Sequence, residues 1–201
     1  TGRTTSISFP TTTGTFDTTN NGSEDIFVTK LNSSGTGLVY STYIGGSFFD
    51  EGRGIAADPT GNVYISGAAS SNFPTTAGAY DNSFNGASDV FVTKLGASGS
   101  SLIYSTYIGA SNIEYAEDIT IDQAGNAYFV GRVSDAVVDY PTTSGAFDET
   151  FNGFDDAFLT KLNDTGSGLI YSTFLGGSDI DAGLYVEVTA AGEAIVGGTT
   201  T

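Results

Sequence analysis

The segment DVFVTKLGASGSSLIYSTYIG, residues 89–109, occurs in nearly the same form twice more, as DIFVTKLNSSGTGLVYSTYIG from Asp25 and as DAFLTKLNDTGSGLIYSTFLG from Asp156. A catalytic motif is normally written once, whereas a unit that must stack on copies of itself is written repeatedly. Lys30, Lys94 and Lys161 stand 64 and 67 residues apart, and the same spacings separate Phe9, Phe73 and Tyr140, or Tyr40, Tyr104 and Tyr171. The chain therefore divides into three repeat units, 1–67, 68–131 and 132–201. The three extra residues of the last spacing fall between Gly131 and Tyr140, and an insertion there implies a loop. Gly2 takes the place of Gly67 and Gly131, and Gly198 stands just after the third unit's last strand.

Within each unit, DVFVTKL and LIYSTYIG are rich in β-branched and aromatic residues, and the Gly/Ser run between them reads as a hairpin connection. EDITID alternates around Ile119 and Ile121 and turns at QAG into NAYFVG, a second hairpin matched by AADPTGNVYISG in the first unit. Four strands per unit follow. The Thr/Pro/Gly segment after the fourth, FPTTAGAYDNSFNG in the middle unit, is broken by Pro74 and Gly78 and is expected to connect one sheet to the next. No window shows a capped amphipathic helical period, so the expected class is all-β. Val90, Phe91, Val92 and Leu95 put apolar side chains on both pleat faces, which implies sheets covered on both sides. A four-stranded unit sandwiched between its own copies is a β-propeller-like blade.

GNVYISG, FPTTAGAYD, DVFVTKL and LIYSTYIG, in that order along the chain, resemble the bacterial seven-bladed β-propeller (SBBP) repeat. The resemblance covers essentially the whole chain. It implies a propeller-like fold in large secreted or cell-surface proteins, and it carries no established catalytic residues that map onto this chain. Three units are fewer than the roughly four to eight blades that close a ring, so two open faces are expected. Uncovered apolar faces must meet further blades of the parent chain or other copies of the same chain. A head-to-tail contact that does not close would build a filament.

Composition narrows the chemistry. With 6 basic against 23 acidic residues the formal charge is −17, which repels nucleic acid and favours cations as small partners. Zero Cys and zero His remove disulfides, thiol catalysis, the usual general base and the usual zinc ligand. No apolar run approaches the roughly 20 residues of a membrane-spanning helix. There is no Met, so Thr1 is not expected to be an initiator, and the sequence reads as a processed product or an excerpt. An acidic, Thr/Ser/Gly/Asn-rich, Cys-free chain suits the surface of a bacterium or archaeon.

Recurring acids are the sharpest site candidates. Asp17, Asp81 and Asp148 follow the Pro-Thr-Thr connector or its equivalent, Asp25, Asp89 and Asp156 open the first strand of each repeat, and Asp50, Glu114 and Asp181 form a third set. Calcium takes six to eight oxygens from carboxylates, amides and carbonyls, which Asp/Asn/Gly loops supply. The competing reading is that these acids bond their own turns, since no D-x-D-x-D-G loop is present. At the second hairpin Asp58 and Asp122 give way to Thr189 with Glu193, a replacement that points to turn chemistry.

Lys30, Lys94 and Lys161 are the only lysines, open to an isopeptide crosslink or, as the plainer expectation, to pairing with a recurring acid while the stem packs along the sheet. Asp155 and Asp156 could suggest a two-carboxylate glycosidase, but adjacent strand residues point to opposite faces. Tyr40 with Tyr43, Tyr104 with Tyr107 and Tyr171 with Phe174 fit a sugar-binding surface or, more simply, packing between blades. Asn21-Gly22, Asn85-Gly86 and Asn152-Gly153 read as turns, and Asn21, Asn32 and Asn163 satisfy N-x-S/T. The expected role is a non-catalytic structural repeat of an extracellular surface protein or filament that stacks and adheres. The alternative is a propeller that recognises carbohydrate or protein through its loops.

Overall fold

A computed structural model describes residues 1–134 and 139–201. Part of the segment that carries the three-residue insertion, 135–138, lies outside the described residues. The described residues form thirteen strands and no helix. They are β1 (Gly2–Thr4), β2 (Asp25–Leu31), β3 (Leu38–Ile44), β4 (Glu51–Ala57), β5 (Val63–Ala69), β6 (Asp89–Leu95), β7 (Leu102–Ile108), β8 (Ile113–Ile121), β9 (Ala127–Ser134), β10 (Asp155–Leu162), β11 (Leu169–Leu175), β12 (Asp181–Val188) and β13 (Ala194–Thr200).

These strands make four antiparallel sheets, ordered β1-β2-β3, β4-β5-β6-β7, β8-β9-β10-β11 and β12-β13. The middle two are complete four-stranded blades, and the array is open at both ends. Sheet boundaries are offset from repeat boundaries: each complete blade takes the second hairpin of one unit and the first hairpin of the next. The long Thr/Pro/Gly segment consequently does not run between sheets as its composition suggested. It joins β5 to β6 inside one sheet, whose seven residue pairs run from Val63↔Leu95 to Ala69↔Asp89. The links between sheets are the short segments 45–50, 109–112 and 176–180.

The reason lies along the edge of the blade. The connector returns beside β7, where Thr76 N donates to Ser105 O (3.0 Å) and Tyr107 N donates to Asp81 O (3.0 Å). Thr106 Oγ1 adds a bond to Asp81 O (3.0 Å). A Pro-interrupted segment that cannot be a central strand thereby occupies the backbone groups of an edge strand that would otherwise be free to pair with another chain.

Sheets pack face to face along the chain. Tyr64, Val92 and Tyr104 of the second sheet share one core with Ile119, Phe129 and Phe158 of the third. Ile26, Val28 and Tyr40 of the first pack with Ile65, Phe91 and Leu95 of the second. Tyr128 and Val130 meet Val186 of the last. The recurring glycine has a steric cause: β4 bulges between Gly52 and Gly54, and a Cβ on Gly67 would stand 1.9 Å from Glu51 O. The same collision recurs for Gly131 with Tyr115 O and for Gly198 with Ala182 O, so only glycine fits.

Candidate interaction faces and recurring acids

The three acid sets lie where connectors meet strands. Asp17, Asp81 and Asp148 each close a small turn: Thr19 N, Ser83 N and Thr150 N donate to Oδ1 at 2.9, 2.7 and 2.8 Å. The amides of Asn21, Asn85 and Asn152 occupy the second oxygen. Asp25, Asp89 and Asp156 are fully buried. Asp25 accepts Asn21 N (2.7 Å) and Gly22 N (3.1 Å), Asp89 accepts Asn85 N (3.0 Å) and Gly86 N (3.1 Å), and Asp156 accepts Asn152 N (2.8 Å). The Asn-Gly pairs are therefore turns whose N–H groups point at the next carboxylate.

The third set sits alongside. Asp50 accepts Gly46 N (2.7 Å) and Ser70 N (2.9 Å), Glu114 accepts Ala110 N (3.3 Å), and Asp181 accepts Gly177 N (2.6 Å). Burial, reinforced by a neighbouring acid, pushes Asp50 and Asp89 up to about 6 and Glu114 up to about 7. Glu114 Oε1 is buried with no hydrogen-bond partner. Among the described residues no three acidic side chains converge as a metal-binding group. The arrangement can tie connector, strand and inter-sheet link together through carboxylate–N–H bonds.

At the second hairpin, Asp58 Oδ1 accepts Thr60 N and Asn62 N, both at 2.9 Å, and Asp122 Oδ1 accepts Ala124 N and Asn126 N, both at 3.0 Å. Glu193 N bonds Thr189 Oγ1 (3.2 Å) in the variant turn. Lys161 pairs with Asp122 (3.1 Å) with its ammonium 4.5 Å from the centre of the Tyr128 ring, and Lys94 lies 4.8 Å from the centre of the Tyr64 ring. Asp155 and Asp156 part company as adjacent strand residues must. Asp155 pairs with Arg132 (3.1 Å), while Asp156 accepts the Asn152 backbone N–H.

All of the recurring aromatics but the half-buried Tyr171 are core. Tyr40, Tyr43, Tyr104, Tyr107 and Phe174 are buried. Tyr107 OH donates to Ser70 O (2.7 Å) and accepts Phe73 N (2.9 Å), pinning the start of the connector. Tyr43 does the same with Ser6 O (2.6 Å) and Phe9 N (3.0 Å). Sequence reasoning passed over the arginines. Arg3–Glu24 (3.0 Å) repeats as Arg132–Asp155, each arginine directly after the recurring glycine, and Arg53 bridges two sheets through Glu51 and Glu117.

The other candidate surface is the open end. β5 is buried throughout and β9 nearly so, but β13, the strand in the same position, is mostly exposed, and among the described residues no strand pairs with its second edge. Open stacked sheets of this kind define an array of β-propeller-like blades. The family model for the SBBP beta-propeller repeat matches residues 39–74 and again residues 103–132. No curated protein matches the chain.

Proposed function

We infer that the chain is a non-catalytic structural repeat segment of an extracellular surface protein or filament, which works by stacking on further units and presents a surface for adhesion. The observation that carries this reading is the half-made blade β12-β13, whose free edge and apolar side chains are those that β5 and β9 bury in complete blades. SBBP repeats are typically non-catalytic and are often found in secreted proteins, and no described helix is long and apolar enough to cross a membrane. The acidic surface disfavours nucleic acid as a partner.

A second reading, a propeller that binds carbohydrate or protein through its loops, is favoured by one feature. A groove of about 370 Å³ between neighbouring hairpins is lined by Asp58, Tyr64, Lys94 and Asp122, and one of about 270 Å³ recurs at the next junction beside Lys161. Electron micrographs and light scattering separate the two. Ordered polymers support the structural role; a monodisperse particle with measurable glycan affinity supports the binding role.

A further inference from the structure

Three hairpin tips carry a glycine at positive φ, Gly35 (70°), Gly99 (72°) and Gly166 (70°). Two of them are occupied from the preceding blade. Gly99 lies against the Tyr40 ring and Gly166 against the Tyr104 ring, too close for a Cβ, and their carbonyls accept Phe16 N and Tyr80 N, both at 2.8 Å. Gly35 has nothing within 4 Å of where a Cβ would stand. At the other end of the array Tyr171 and Phe147 hold the positions of Tyr104 and Tyr80, yet among the described residues they meet no such hairpin. Phe147 is 86% exposed where Tyr80 is 37% exposed. The strands are complementary too. β13 lacks the third-strand partner that β6 gives β5, while Val28–Leu31 of β2 lack the partner that Val63–Ser66 give β6, since β1 pairs only with Asp25–Phe27.

One end of the described array thus lacks what the other presents. We propose that a second copy of this chain docks head to tail, laying its β2-β3 hairpin beside β13 so that two chains complete one blade. The register follows from β5–β6: Ala194 opposes Leu31, Ile195 opposes Lys30, Val196 opposes Thr29 and Gly197 opposes Val28. Gly198–Thr200 then take the positions of the second copy's Gly2–Thr4, and a three-residue strand gives way to a seven-residue one. Phe147 N reaches Gly35 O, and the Tyr171 ring covers Gly35. The contact is heterologous, so it repeats from copy to copy until it closes or extends. This inference rests on the reading of the chain as a stacking module.

The chain has no cysteine, so introduced thiols report cleanly. Chains bearing Lys30→Cys and Ile195→Cys are mixed under mild oxidation, with Asn32→Cys and Ile195→Cys, two residues out of register, as the control. A disulfide-linked heterodimer from the first pair and far less from the second is expected. Larger particles without that crosslink, or equal crosslinking by both pairs, overturn the docking and leave stacking standing; lone monomers without a crosslink take both readings down. Phe147→Ala changes an exposed side chain and tests the contact without thiols. Self-association weakened about tenfold or more is expected from the lost aromatic burial, and unchanged association overturns the docking.

Discussion

Glu114 offers the clearest quantitative test of the buried acids. Its carboxyl is buried beside Asp89, which lifts it from 4.5 to about 7. A raised acid binds more protons folded than unfolded, so its favourable contribution is present below about pH 4.5 and is lost as pH rises through 7. At about 1.4 kcal/mol per pH unit the ceiling at pH 8 is about 3 kcal/mol, and relaxation brings the expected value to about 1–2 kcal/mol. Glu114→Gln keeps an oxygen for the Ala110 N–H and removes the charge. Thermal unfolding at pH 5 and pH 8 should show the variant close to the parent at pH 5. At pH 8 it should be more stable, with a melting temperature about 2–8 °C higher. Parallel pH profiles for parent and variant would refute the reasoning.

Three further outcomes follow from the geometry. Tyr107→Phe removes the hydroxyl shared by Ser70 O and Phe73 N and should cost about 1–2 kcal/mol by chemical denaturation; no loss would remove the connector staple. Gly67→Ala places a Cβ 1.9 Å from Glu51 O and should destabilise by about 3 kcal/mol or more, and a variant melting like the parent would contradict the bulge. Because N–H groups already occupy oxygens of Asp17, Asp25 and their repeats, chelator should leave the melting temperature unchanged. A fall reversed by calcium would support the metal reading.

The hairpins and the all-β class were legible because they rest on short-range signals, and the stacking of blades because the unit is written three times. β-branched runs and Gly/Ser turns act over a few residues, and the recurrence of the whole unit at spacings of 64 and 67 residues shows in the sequence without any folding. The role of the connector was not legible. Whether the chain passes from Ala69 to the next sheet or returns to pair Asp89 with it depends on edges about 20 residues apart, which no local pattern encodes. The acids were visible as recurrences, and Asn and Gly nearby fitted calcium as well as turns, so their sequence left both readings open. That Asp25, Asp89 and Asp156 are wholly buried was hidden, since polar residues at strand starts usually face water. Arg3 and Arg132 recur directly after Gly2 and Gly131, a signal available in the sequence that pairing with Glu24 and Asp155 explains.

Hydrogen exchange across a range of protein concentrations tests the central claim most directly. The amides of β5, held on both edges within one chain, should be protected equally at every concentration. Those of β13 whose edge is free should exchange fast when dilute and slow as concentration rises. A β13 that stays unprotected at all concentrations, or is as protected as β5 when dilute, would contradict the account.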